Sequence, residues 1–373
     1  MKRSTYSHIN LLEELRLSPD DFRNYLRMDE DTYVELLTMV TPLIKKQDSR
    51  MRKSISPHER LSATLRFLAT GRSFEDLKYT ALISPQALGK IIPETCKAIC
   101  KVLHIQYTKF PNSEKEWLAI AGEFFTKWNF LCCLGAVDGK HVKINCPPKS
   151  GSFFYNYKGY FSIVLMAIVN ANYEFILVDI GTNGRVSDGG VIENTRFYEK
   201  LKTNALKIPS PIKSFNNSEE LPFVFIGDEA FALLPNFMKP FNIKVLDNEK
   251  KVFKYRLSRA RNVVENAFGI LASRFRIFHT EINLQLHNIE AAILATVSLH
   301  NFLRIKLKDR YVCRDVNSLD DAIQNEKERV DAFGNLQRGP NRNACEEAKS
   351  IREKFCSYFN KEGQVTWQRN RIS

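Results

Sequence analysis

The amino-acid sequence predicts an α/β protein: a sheet domain flanked by helices, preceded by an all-α region that contains a helix-turn-helix. Three observations carry that expectation. Residues 130–246 hold short apolar runs of strand length, separated by loops rich in Gly, Pro and Asn. Two long stretches of helical spacing follow, Val252–Phe278 and Leu286–Leu307. Ahead of them, residues 8–110 carry helix starts and stops and no strand signal.

The first helices fall within residues 8–46. Ser18-Pro19-Asp20-Asp21 offers a cap, a proline at the first position and acids at the positive end of the dipole. Asp29-Glu30-Asp31-Thr32 opens another helix, with Tyr33, Leu36, Leu37 and Val40 on one face. A polar basic linker, Lys46–Lys53, ends this N-terminal helical segment of residues 1–50. Residues 51–110 form the helix-turn-helix unit. Its first helix starts at Ser56-Pro57 and closes at Gly71, its second opens at Ser73, and its third starts at Ser84-Pro85 and reaches Ile92. In that third helix Gln86, Ala87, Lys90 and Pro93 are expected to face outward, where a DNA reader would meet bases or phosphates.

The sheet domain spans residues 128–306. Strands are expected at Phe130–Val137, His141–Cys146, Phe161–Asn170, Phe175–Ile180, Phe223–Ile226 and Ile243–Leu246, with a helix over Asp188–Leu201 and a loose loop over Asn204–Leu221. Residues 307–373 are charged and poor in aliphatics, a partly flexible segment with one helix, Cys345–Tyr358.

Composition narrows the function. A chain of 373 residues can hold more than one domain and a large core. Hydrophobic content of 44% and charged content of 26% describe a globular protein. The net charge of +13 favours a polyanionic partner, nucleic acid before membrane. The start MKRSTYSHINLLEELRL lacks the apolar core of a secretory signal, and runs such as Ile163–Val169 are far too short to span a bilayer, so no membrane partner is expected. Eight cysteines without a C-x-x-C pair suggest reduced thiols in cytosol or nucleus. Cys96, Cys100 and His104 share a helix face but lack a fourth ligand, and packing explains them better than zinc.

Three acids stand out. Asp138 follows an apolar run, Asp228 follows another, and Glu265 is the one acid among eight basic residues between Lys250 and Arg276. Cleaving a phosphodiester requires an ionised water and a stabilised leaving oxygen, and two divalent ions held by carboxylates supply both. Each acid also has a plainer reading. Asp138-Gly139 could be a hairpin turn, Asp228 a helix cap, and Glu265 an ion-pair partner of Arg261. Their order on strand, strand and helix favours a metal-holding triad. Asp188, in Arg185-Val-Ser-Asp188-Gly-Gly, is an auxiliary candidate, whereas Asp179 inside a strand is structural. DNA-contact candidates are Gln86 and Lys90 on the third helix, Arg256, Arg259, Arg261 and Arg274 around Glu265, and Lys158. Lys158 lies in a loop with Tyr155, Tyr157 and Tyr160, whose rings could stack on bases. His141 is placed near Asp138, and His300 reads as a packing histidine.

These blocks resemble a known family. Ala136-Val-Asp138-Gly-Lys-His141, Tyr157-Lys-Gly-Tyr160, Gly184-Arg-Val-Ser-Asp188, Gly227-Asp228-Glu-Ala-Phe231 and Tyr255–Leu271, with its Val-Val-Glu265-Asn-Ala-Phe-Gly core, are similar to the PIF/Harbinger transposase superfamily, and nearest its transposase-derived nuclease group. Lys140 departs from it, standing where the family often has Thr. The resemblance implies an RNase H-like mixed sheet flanked by helices, with a DDE triad on Asp138, Asp228 and Glu265. It implies divalent metal (Mg²⁺ or Mn²⁺), double-stranded DNA as substrate, a helix-turn-helix reader, and a Myb-like partner that aids nuclear entry and DNA binding. The expected activity is metal-dependent DNA cleavage with strand transfer at the same site. The alternative is a host-recruited DNA-binding or adaptor protein whose nuclease is unused. The expected location is the nucleus with a cytoplasmic pool, and a homo-oligomer is compatible with the class.

Overall fold

The computed structural model describes residues 8–50, 53–183, 192–193, 195–213, 220–242, 247–311, 332–335 and 344–371. Seven helices precede the first strand among them: α1 His8–Leu15, α2 Pro19–Leu26, α3 Glu30–Ile44, α4 Pro57–Thr70, α5 Phe74–Ala81, α6 Pro85–Tyr107 and α7 Glu114–Trp128. Their starts are the ones the sequence marks. Ser56 and Glu59 form a capping box on α4, while Ser73 and Ser84 cap α5 and α6 through their hydroxyls. Gly71 ends α4 at φ +68°.

The third helix of the expected helix-turn-helix is much longer than its sequence suggests. It runs on past Pro93 to Tyr107. Proline cannot donate to the carbonyl four residues back, so it usually closes a helix. Here Pro93 is buried, which corrects its expected outward placement. The apolar side of α6 packs along a later helix, α10 (Leu286–Leu307), and Asn301 of α10 donates to Tyr107 O at 2.9 Å. Burial against α10 outweighs the lost hydrogen bond.

The sheet has strands β1 Cys133–Lys143, β2 Ser162–Val169 and β3 Phe175–Asn183. After α8 (Arg196–Lys202) and the short pair β4 Ile212–Lys213 and β5 Glu220–Leu221, it resumes with β6 Val224–Ile226 and β7 Phe237–Met238. The order is β3-β2-β1-β6-β7. β1, β2 and β3 are antiparallel neighbours, and β6 and β7 run parallel to β1. The long helix α9 (Asn248–Arg274) then crosses the sheet, packing on β1, β2 and β6. A 3₁₀ turn, Arg276–His279, leads toward α10, so the expected single helix to Phe278 ends four residues early. The expected strand Ile243–Leu246 and the start of the expected helix at Asp188 lie outside the described residues.

The C-terminal segment is part of the body. Gly334–Asn335 forms β8, paired with β1 at Lys140 and His141. Helix α11 (Glu346–Asn360) packs on α9 and buries Phe355 and Phe359. One buried core runs from α1 through the sheet to α11. No helix among the described residues is long and apolar enough to cross a membrane.

Candidate active site

Asp138 lies inside β1. The expected break at Asp138-Gly139 is absent, because both residues stay paired with Ala167 and Met166 of β2. This corrects the two-strand reading of residues 130–146 and removes the hairpin turn. What ends beside Asp138 is the neighbouring strand. β6 pairs with β1 only as far as Ala136–Ile226, and β8 joins at Lys140. Between them, Val137, Asp138 and Gly139 have no partner on that edge among the described strands. Here the chain, having moved outward from β1 through β2 and β3, returns to the other side of β1. Such a reversal opens a crevice at the carboxyl ends of parallel strands.

Two residues along a strand share a face, so Asp138 and Lys140 point the same way. The Lys140 ammonium stands 3.0 Å from Asp138 Oδ2 and donates to Asn335 Oδ1 at 2.6 Å. Asp138 Oδ1 accepts from the Gly139 amide at 2.9 Å. Oδ2 is buried, and the ammonium of Lys140 is its partner there. Glu265 enters from α9, with Oε1 2.8 Å from Nη2 of Arg261 one turn earlier. The ion-pair reading of Glu265 is therefore realised. Lys140 ties the two acids together. Burial works against its charge, but Asp138 and Glu265 outweigh burial and hold the ammonium above its ordinary pKa, with Arg261 acting in opposition.

Asp228 follows β6. It stands two residues beyond Ile226, as Asp138 stands two beyond Ala136, the partner of Ile226. Its Oδ1 accepts from the Ala230 amide at 2.9 Å in a tight turn; no helix starts there, so the helix-cap reading of Asp228 does not hold. Gly227 beside it is required by space, since a Cβ there would lie 2.7 Å from the Phe231 ring and 2.8 Å from that of Phe237. Nearby, burial and Arg352 lower the pKa of Lys239, while Asp228 and Glu229 oppose them. Among the described residues, no three His, Cys, Asp or Glu side chains are already grouped closely enough to hold a metal ion. Asp188 lies outside those residues.

Other candidates separate by strand parity. Asp179 pairs with Met166, itself opposite Gly139, so it faces the other side of the sheet from Asp138. His141, three residues from Asp138, also faces away, which corrects its expected place beside that acid. It is buried with Nδ1 3.0 Å from Ser162 Oγ, and burial, aided by Lys158, pushes its pKa down to about 4. His300 is a packing histidine, between Tyr173 O at 2.8 Å and the Tyr311 hydroxyl at 3.0 Å. Cys96 and Cys100 are packed thiols with pKa values pushed up by burial, that of Cys100 to about 12.

The DNA-contact candidates divide. Arg256 is corrected: it is 2% exposed and donates to Gly363 O, Gln368 Oε1 and Asn129 O. Arg259 is half-buried over Trp367 and bonded to Asn129 Oδ1 at 3.0 Å. Arg274 is likewise engaged, with Arg27 O at 2.6 Å and Tyr311 O at 3.2 Å. Gln86, Lys90 and Lys158 are exposed, and Phe153, Tyr155 and Tyr157 are exposed beside Lys158. The sequence reading missed Lys140 as the hub of the site. Its signal was the two-residue spacing from Asp138, which is informative only when β1 is read as one strand.

Residues 137–301 match the family described as DDE superfamily endonuclease. Over 303 residues the chain is 23% identical to Protein ALP1-like of Arabidopsis thaliana, covering 78% of this chain and 72% of that relative. No solved structure matches. The span of residues 137–301, which holds Asp138, Asp228 and Glu265, is similar to the DDE superfamily endonucleases, in keeping with the resemblance of these blocks to PIF/Harbinger transposases.

Proposed function

We propose that the protein is a metal-dependent DNA endonuclease of transposase descent, with an RNase H-like catalytic domain in which Asp138, Asp228 and Glu265 hold divalent metal, Mg²⁺ or Mn²⁺. One observation carries the reading. Asp138 and Glu265, 127 positions apart in sequence, act on one buried ammonium at the edge of β1 where β6 ends. The donor set suits a hard cation, since carboxylate oxygens are its preferred ligands. Asp138 Oδ2 already has the Lys140 ammonium 3.0 Å away, so this oxygen lies where a cation is held. When bound, the ions supply an ionised water and a stabilised leaving oxygen. The chain's own residues do the rest. Lys140 and Arg261 hold the carboxylates in place by ion pairs, and the exposed loop of Tyr155, Tyr157 and Lys158 receives a DNA strand. Strand transfer would use a DNA 3′-hydroxyl in place of water.

Helices α4 to α6 would read duplex DNA through Gln86 and Lys90 at the exposed start of α6. A Myb-like partner, homo-oligomerisation and a nuclear location with a cytoplasmic pool belong to the same proposal. A second reading, an adaptor that binds DNA without cutting it, is favoured by the internal neutralisation of two acids by Lys140 and Arg261. Nicking of supercoiled plasmid separates the two. Wild type should nick with Mg²⁺ or Mn²⁺, and Asp138→Asn should not while still binding DNA. Equal nicking by the variant would rule out the triad, and DNA binding without nicking under either metal would leave the adaptor.

A further inference from the structure

A second basic site lies away from the carboxylates, where α2 and the end of α4 meet the turn after α9. It is an open pocket of about 690 Å³. Four arginines line it, Arg27, Arg66, Arg72 and Arg276, against a single carboxylate, Asp21. That carboxylate is already engaged, its Oδ2 accepting from the Ser18 hydroxyl at 2.7 Å. Arg72, in the loop before α5, is paired at 3.1 Å with Asp76 in the first turn of that helix. Arg66 is fixed as a wall, its guanidinium 3.9 Å above the Tyr25 ring and its Nη1 bonded to Tyr25 O at 2.9 Å.

The other two arginines have donors to spare. Arg27 Nη1 donates to Asn24 Oδ1 at 2.7 Å, but Nε is buried with no acceptor. Arg276 is exposed and has no hydrogen bond or ion pair among the described residues. The group is also electrostatically costly. Burial first, then Arg274, Arg66 and Arg276, all act to weaken the charge on Arg27. Proteins bury few unpaired donors and rarely gather like charges without a counter-ion. Gly71 fixes the floor. A Cβ there would lie 2.6 Å from Thr280 Oγ1 and 3.1 Å from Arg276 O, so only glycine lets α4 come this close to the Arg276 turn.

We propose that this pocket binds a phosphate group, with the guanidinium forks of Arg27 and Arg276 as its ligands and Arg66 as a fixed cation behind them. Guanidinium pairs with phosphate by parallel, charge-assisted hydrogen bonds, which suits donors otherwise left without acceptors. The phosphate is either a free polyphosphate or one of a DNA backbone. The site is independent of the carboxylate cluster and requires no metal.

The test uses the full chain in EDTA, so nuclease chemistry plays no part. Inorganic pyrophosphate and a short DNA duplex are titrated separately into wild type, Arg276→Gln and Arg27→Gln. Lys115→Gln, an exposed lysine on α7 far along the chain, controls for loss of one unit of charge. If the phosphate is free, pyrophosphate raises the melting temperature of wild type and of Lys115→Gln, and affinity drops roughly tenfold in either arginine variant. If it belongs to DNA, only the duplex responds: Arg276→Gln loses roughly tenfold in affinity and about one unit of salt slope relative to Lys115→Gln. Arg276 is exposed, so its variant folds even if Arg27→Gln does not. No effect of pyrophosphate, together with equal duplex affinity in Arg276→Gln and Lys115→Gln, overturns the proposal.

Discussion

Lys140 is the cation that Asp138 holds at the candidate site. The Asp138–Lys140 pair is nearly dry, with side chains 10% and 13% exposed. Removing one member of such a pair leaves the other uncompensated, at a typical cost of about 3–5 kcal/mol. Lys140→Met is therefore expected to destabilise the protein in EDTA by roughly 3 kcal/mol, and Mg²⁺ should restore part of the loss because a cation again sits among the carboxylates. Thermal melts with and without Mg²⁺ check this, and equal melting temperatures in both buffers would count against a metal site. Histidines give a separate prediction. His300 is held neutral by burial, with its pKa lowered to about 3, and burial also lowers those of His8 and His141 to about 4. In the unfolded chain these rings take up protons near pH 6.5. A lowered folded pKa means stability is complete above that value and declines as pH falls from about 6.5 toward 4. Urea unfolding across that range should show the decline, and His300→Gln should flatten it.

At the scale of elements, helices were legible from capping chemistry, and strands from apolar runs. Ser56, Ser73 and Ser84 each announced a helix that the structure contains. Two local signals misled, for the same reason. Asp138-Gly139 looks like a turn and Pro93 like a helix end, yet both lie inside longer elements. Pairing with β2 along eight residues holds β1 straight through Asp138, and packing on α10 carries α6 past Pro93. Tertiary contact outweighed local propensity in both cases. Arg256 shows the limit for single side chains: a cation in a basic helix reads as surface, and only the fold reveals its acceptors on the C-terminal segment. Arg256→Met removes bonds to Gly363 O, Gln368 Oε1 and Asn129 O. The loss should be roughly 2–4 kcal/mol, and limited proteolysis should release the segment after α11 faster than in wild type. An unchanged cleavage pattern would show that Arg256 does not fasten it.

Across the whole molecule, charge was legible before any element. The excess of +13 predicts DNA binding that weakens steeply with salt. Duplex affinity should fall at least tenfold between 50 and 200 mM salt for a protein with several phosphate contacts, and a flat response would remove DNA as the partner. The proposed triad of Asp138, Asp228 and Glu265 was legible only as an order of acids on strand, strand and helix. The strand order that pairs Ala136 with Ile226, two residues before Asp138 and Asp228, is a property of the folded sheet. The most direct test is Mn²⁺ binding followed by electron paramagnetic resonance on the intact chain. Wild type should take up Mn²⁺, and both Asp138→Asn and Glu265→Gln should lose it while keeping their fold. Uptake unchanged in both variants would contradict the account.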